Sequence, residues 1–225
     1  MASNGIASFL YAPLNETDGT YGEVLKFSGA VSYKETLNKS SGAVYADNIK
    51  KWEDSSVTGG KLTLGVLDDD PIIFAPLLGR KTKKVKIGDT EEKEVYIGNS
   101  EDIPQPVGFG FVEFGRDETK SFYQVNFYPK ITFAPYDKEG ETRKDNNDYK
   151  TPNVEGTIYN LNNGDYKNDN RFDTLQEAVK VLYALFGKTE IPEEVLKNIG
   201  IQENIPPASE ATVPDKADEQ NDFME

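Results

Sequence analysis

The sequence predicts a mainly β fold, a sandwich or barrel with one flanking α-helix and short helical turns. Three observations carry that expectation. Apolar and polar residues alternate with a period of two in several segments, as in half-buried strands. The chain holds 12 Tyr, 12 Phe and 19 Gly, residues that favour strands and turns over helices. One stretch alone has the spacing of a long amphipathic helix face.

Taken in order, residues 1–20 read as an N-terminal arm. They show neither a basic leader nor an apolar run long enough for a signal peptide or membrane span, so no membrane insertion is expected. Residues 21–33 alternate, with Leu25, Phe27, Val31 and Tyr33 on one side and Lys26, Ser28 and Ser32 on the other. Residues 34–42 read as polar and turn-rich, 43–49 as a short strand, and 50–56 as a polar stretch. Leu62, Leu64 and Val66 alternate with Lys61, Thr63 and Gly65 in a further strand.

Asp70 followed by Pro71 reads as a helix N-cap with proline at the first helical position, and Gly79 as the stop. Pro76 limits that helix to a turn or two. Arg80, Lys81, Lys83, Lys84 and Lys86 form a basic run, answered across Gly88 by Asp89, Glu91, Glu92 and Glu94. That pattern predicts a charged hairpin, 83–87 against 93–97, rather than a nucleic-acid site, whose field a nearby acidic strand would cancel.

Residues 107–114 and 120–128 are aromatic-rich and flank a glycine-containing turn, which predicts a β-hairpin. In its second strand Tyr123, Val125 and Phe127 share a face, with Gln124 and Asn126 opposite. Gly108 and Gly110 lack the spacing of a dinucleotide loop, and read as places where a neighbour approaches the strand closely. Pro129 is expected to end that strand, with 131–133 continuing briefly, 137–150 a polar connection and 154–159 another strand.

The helix is expected over 174–186, capped by Asp173 or Thr174 with Glu177 in a capping box, and closed by Gly187. Leu175, Ala178, Val179, Leu182, Leu185 and Phe186 make its apolar stripe, which must lie on a sheet or on a neighbouring subunit. Residues 188–202 read as a short helical or extended connection. Residues 203–225, with seven acidic side chains and one Lys, have the composition of a disordered tail. The main domain is thus expected over 21–187.

The chain carries 39 acidic against 25 basic side chains, a formal charge of −14, and neither Cys nor His. Disulfides, thiolate or imidazole metal sites, and Cys or His catalysis are therefore excluded. Strong acidity argues against a nucleic-acid reader. Asp68–Asp70 and residues 160–170 lack the alternating ligand pattern of a calcium loop. No phosphate-binding loop or nucleophile elbow occurs, and no pair of carboxylates is singled out for glycoside hydrolysis. The expectation is a protein that is not an enzyme and has no cofactor and no metal.

A string of short motifs points further. Tyr45-Ala46-Asp47-Asn48 is followed by Gly60-Lys61-Leu62-Thr63-Leu64-Gly65-Val66, then Leu77-Leu78-Gly79 and Val107-Gly108-Phe109-Gly110-Phe111. The run YPKITF at 128–133, Thr151-Pro152-Asn153-Val154-Glu155-Gly156, and the helix start Phe172-Asp173-Thr174 complete it. In order and spacing this resembles the phi-thirteen-like family of major tail proteins of long-tailed bacteriophages, over roughly residues 1–187. The charged hairpin and the acidic tail have no counterpart in that pattern.

The resemblance implies a structural virion protein of the phage tail, assembled in the cytoplasm of the host bacterium. Its copies would form hexameric rings stacked into a tail tube, neighbours joining their sheets into one inner barrel. It also implies tape-measure, tail-terminator and baseplate proteins as partners, and phage DNA that passes without specific binding. On that reading Lys26, Ser28, Ser32, Thr63, Gln124 and Asn126 are the lumen-facing candidates. Leu25, Phe27, Leu62, Leu64, Tyr123, Val125 and Phe127 form the core, and Leu175, Val179, Leu182 and Phe186 pack the helix. Six copies at −14 each would give a ring −84, which repels phosphates on average. The alternative is a β-sandwich module that binds a carbohydrate or receptor.

Overall fold

The structure, a computed structural model, describes residues 2–27, 29–46, 49–88, 91–118, 120–138, 151–193 and 195–197. It is mainly β, built on one large antiparallel sheet. In chain order the elements are β1 (Ala2–Asn15), β2 (Thr20–Tyr21), β3 (Leu25–Lys26), β4 (Ala30–Ala46), β5 (Ile49–Val66) and α1 (Pro71–Leu77). Then follow β6 (Lys81–Ile87), β7 (Glu91–Ile97), β8 (Val107–Arg116), β9 (Ser121–Phe133), β10 (Asn153–Ile158), β11 (Asn168–Phe172) and α2 (Leu175–Leu185). The sheet runs β2-β1-β8-β9-β10-β5-β4, with β3 added to β1 and β11 to β9, while β6 and β7 pair only with each other. The acidic tail at 203–225 and the connection at 139–150 lie outside the described residues.

The sheet curls on itself around an aromatic core. Phe27 sits at its centre, with ring centroids 5.3 Å from Phe74, 5.2 Å from Phe109 and 5.5 Å from Phe133. Leu62, Leu64 and Val66 of β5, Val154 and Ile158 of β10, and Tyr128, Ile131 and Phe133 of β9 close around it. α1 plugs one end through Phe74 and Leu77. It forms as expected: the Asp70 carboxylate accepts from the Ile72 N–H at 2.9 Å, Pro71 opens the first turn, and Gly79 leaves it at φ 71°.

A second core lies on the other face, where α2 crosses β8, β9 and β11. Thr174 caps this helix, its hydroxyl oxygen accepting from the Glu177 N–H at 3.2 Å, and Gly187 follows it at φ 71°. The stripe residues Leu175, Ala178, Val179, Leu182 and Phe186 are buried against Val112, Val125 and Phe127. Gly108 and Gly110 make this approach possible. A Cβ on Gly110 would lie 2.5 Å from Leu182 Cδ1, and one on Gly108 2.5 Å from the Tyr21 ring.

β9 serves both cores because its alternate residues face opposite sides, and a bulge shifts their phase part way along. Phe109 pairs with Tyr128 and Val107 with Ile131, so three steps on β9 answer two on β8. The inward positions therefore switch from Tyr128 to Ile131 and Phe133, and Pro129, which has no N–H to give a ladder, sits within the irregularity. The strand expected to end at Pro129 continues through it.

Several other expectations are corrected. Residues 1–20 are not a free arm, since β1 takes a place in the sheet beside β8. A bulge between Ala7 and Leu10, with Ser8 at φ 56°, breaks its alternation and hides it from a period-two reading. The single strand expected over 21–33 is divided among β2, β3 and the start of β4. Leu25, expected in the core, is 38% exposed, because β3 is a two-residue strand flanked on one side only, by β1. Val31 is 56% exposed at a register shift between Ala30 and Ser32. Residues 34–42 and 50–56, read as polar connections, belong to the long strands β4 and β5, where largely exposed or polar residues leave no hydrophobic alternation. β11, whose sequence is NDNRF, has Phe172 as its one apolar residue and so no alternation to mark it.

The charged hairpin forms as β6–β7, with Lys84 opposite Glu94 and Lys86 opposite Glu92. Residues 161–164 make a tight turn: Gly164 N–H donates to the Leu161 carbonyl at 2.9 Å, with Gly164 at φ 91°.

Candidate functional site

α2 covers only half of the sheet face on which it lies. Past the β9 bulge the same face continues across β9, β10, β5 and β4, where no helix among the described residues covers it. Register places Thr63 between Lys34 of β4 and Glu155 of β10, and Lys61 between Thr36 and Thr157, with Thr132 of β9 opposite Thr157. Short hydroxyl side chains dominate this wall. Its Lys61–Glu155 pair closes at 2.7 Å, with both side chains about half exposed, so it adds little stability.

The six lumen candidates do not lie together. Ser32 and Thr63 belong to the polar wall, Ser32 exposed and Thr63 half-buried. Lys26 is exposed at the opposite margin of the sheet, on β3, and Ser28 lies outside the described residues. Gln124 and Asn126 are on the other face, which curls inward. Asn126 is 1% exposed, so in this chain it cannot line a wetted surface.

Instead Asn126 belongs to an internal polar network. Its Nδ2 donates to Glu113 Oε2 at 3.5 Å, its Oδ1 accepts from Gln124 Nε2 at 3.5 Å, and Arg171 Nε donates to Gln124 Oε1 at 3.1 Å. The Tyr33 hydroxyl reaches across from β4 to donate to Glu113 Oε2 at 2.7 Å. Nearby, Lys167 pairs with Glu35 at 2.9 Å, both side chains largely buried. These contacts tie β4 to the opposite wall of the curl, where no ladder joins them. Glu35 and Glu113 were not singled out in the sequence, yet each sits two residues from an inward aromatic, Tyr33 and Phe111, and that parity is a usable signal.

Burial pushes the hydroxyls of six tyrosines up. Tyr21 and Tyr136 rise to about 12, both through burial first and Tyr136 also through the Asp69 carboxylate beside it. Tyr33 and Tyr128 rise further, by burial and then by the carboxylates of Glu113 and Glu35, although the Tyr128 hydroxyl makes no hydrogen bond with Glu35. Tyr11 and Tyr183 are raised by burial alone.

An unfolded chain releases phenolic protons near pH 10. The folded state therefore holds more protons above that pH, and stability present below about pH 10 is lost as the pH climbs toward the folded values. With no His or Cys to titrate, stability should stay nearly flat from about pH 6 to 9. Native-state absorbance of tyrosinate checks this, and ionisation of all 12 tyrosines together near pH 10 would contradict it.

One groove, of about 800 Å³, is lined by Asp69, Tyr136, Lys138, Pro152, Asn153 and Glu155, among others, and lies next to the chain that leaves toward residues 139–150. Asp69 accepts from the Tyr136 hydroxyl at 3.3 Å and pairs with Lys138 at 2.7 Å, while Glu155 pairs with Lys61. Its carboxylates Asp69 and Glu155 are thus engaged with lysines. Among the described residues no three His, Cys, Asp or Glu side chains are grouped to hold a metal, and no helix is long and apolar enough to cross a membrane.

No protein-family model matches the chain, and no curated protein matches it at a significant level.

Proposed function

We propose that this protein is a tube-forming structural subunit, the major tail tube protein of a long-tailed bacteriophage. Its copies would close into hexameric rings that stack around a DNA conduit. One observation carries the reading: β4 ends the sheet order, so among the described residues its outer edge has no strand partner along 17 residues. At about 3.3 Å per residue that edge is roughly 55 Å long. An open edge of that length is a template for another chain, and a ring of head-to-tail copies supplies one.

The far half of the same hairpin supports stacking. β10 pairs with β5 only as far as Gly60, whereas the β4–β5 ladder runs on to Ala46 and Ile49. The two strands therefore leave the body as an arm about 30 Å long, which offers a second copy a contact beyond the body.

In this reading the polar wall lines the lumen. A barrel assembled from several chains is too wide for side chains to fill, so its inner face must be wet. The wall offers hydroxyls, one closed ion pair and Lys34, few of the cations that would hold phosphates. The expected partners are other copies of the chain, with tape-measure, tail-terminator and baseplate proteins along the tube and at its ends, in the virion tail.

Negative-stain imaging of concentrated protein is expected to show rings or hollow rods. A species that stays monomeric and binds sugars would replace this reading with a carbohydrate-binding sandwich. Placing lysine at Thr63 and Thr157 is expected to leave assembly intact but make the tubes retain double-stranded DNA at low salt, with retention falling steeply as salt rises. Tubes of this variant that ignore DNA would remove the wall from the lumen.

A further inference from the structure

We propose that the β6–β7 hairpin is a docking arm for a second copy of this chain, seating on the acidic segment 67–72 that leads into α1. The inference rests on the assembling subunit proposed above and names a contact within it.

The hairpin stands apart from the body. It is a sheet of its own, and every residue of β6 and all but Tyr96 of β7 is exposed. Residues directly opposite in an antiparallel pair share a face, so the register divides the hairpin into two unlike surfaces. On one, Lys84 meets Glu94 and Lys86 meets Glu92, a surface that balances its own charge. The other presents Val85, Ile87, Val95 and Ile97, each 40–53% exposed. Between them stand Lys81 opposite Ile97, Lys83 opposite Val95 and Lys93 opposite Val85, with Glu91 paired to Lys93 at 2.7 Å.

An isolated two-stranded hairpin is marginally stable in water, and among the described residues nothing covers the four β-branched aliphatics on its one face. Their cover must tolerate lysines. From Arg80 to Gly98 the hairpin has six cations against four acids, net +2, in a chain of −14, so the rest of the molecule carries −16. A second copy is therefore a complementary partner.

The best match on that copy is the run Leu67-Asp68-Asp69-Asp70-Pro71-Ile72. Leu67 is 64% and Ile72 67% exposed, with three carboxylates between them, of which Asp69 also pairs with Lys138 and Asp70 also caps α1, so the run keeps a net negative charge. Aliphatics bracketing acids would meet aliphatics interleaved with lysines. The two surfaces flank α1 in sequence and are different patches of the chain, so the contact can run head to tail from copy to copy.

Size limits what the arm does alone. Seven residues span about 23 Å, and a face two strands wide falls far short of the roughly 800 Å² per partner of a standard interface. The arm adds to other contacts within an assembly and would not hold a dimer by itself.

The test compares three proteins by sedimentation velocity and negative stain: wild type, the reversal K81E/K83E, and a chain in which residues 81–97 are replaced by a short Gly/Ser turn. Near-UV circular dichroism first establishes that each body is folded. The reversal is expected to raise the concentration needed for half-assembly roughly tenfold, and D68K added to it to recover much of the loss. The hairpin-deleted chain is expected to fold and to assemble at least as poorly as the reversal. Wild type and deletion assembling alike would overturn the docking arm and leave the tube subunit standing. A wild type that never assembles would overturn both. Loss of assembly in K81E/K83E that D68K leaves unrepaired would overturn segment 67–72 as the seat.

Discussion

Replacing Phe27 with alanine is expected to cost about 3–5 kcal/mol, the range for truncating a large buried aromatic. Phe27 is 1% exposed and touches rings from three separate elements, Phe74 of α1, Phe109 of β8 and Phe133 of β9. It also meets Tyr11 of β1 edge-on at 6.2 Å. Its own backbone N–H donates to the Phe9 carbonyl at 2.9 Å, so the residue is fixed at both main chain and side chain. No neighbour can collapse into the space without leaving another contact. A domain of ordinary stability holds only about 5–15 kcal/mol in total, so this single change should consume a large part of it. Urea unfolding measures the effect, and a loss below about 1 kcal/mol would mean that Phe27 is not central to the core.

The second large effect is expected at Gly110. Valine there would place its Cβ 2.5 Å from Leu182 Cδ1 and 3.1 Å from both the Asn126 carbonyl oxygen and the Phe127 ring, before its two methyl groups are counted. The Asn126 contact is backbone and cannot rotate away, so α2 must lift or β8 must leave its ladder. Overpacking of a close-packed site costs typically about 1–3 kcal/mol, and a clash against backbone belongs at the upper end or beyond. The barrel-side core, which Gly110 does not touch, should persist while the helix loosens. Hydrogen exchange of α2 amides that rises more than that of β5 and β10 is the expected signature. Equal protection throughout, with unchanged stability, would contradict it.

Where one face of an element is buried and the other wet, the sequence was readable. The α2 stripe, the α1 cap at Asp70 and the β8–β9 pair all carry a periodic or capping signal generated by the burial itself. Gly108 and Gly110 were readable as points of close approach because strands have no other use for glycine at that spacing. What was hidden shares a different physics. β4 and β5 run on as an arm whose described side chains are mostly exposed, so nothing there imposes alternation. β1 alternates in two pieces that a bulge throws out of phase. Asn126 illustrates the limit of polarity as a guide: a polar residue in a β period marks a face other than that of its apolar neighbours, but not whether that face meets water. Here it meets Glu113 and Gln124, and only the curl of the sheet, a property of many strand-to-strand and loop contacts at once, decides it.

β9 couples two packing layers through one backbone. Val125 and Phe127 hold the helix on one side, and Tyr128, Ile131 and Phe133 hold the aromatic barrel on the other, all within nine residues of a single strand. Sliding β9 by one position to relieve either layer would turn the wrong side chains toward both. The two halves of this chain are thereby geared together: pulling or pushing on the helix face transmits directly into the barrel wall, which makes the subunit a stiff brick rather than two loosely joined plates.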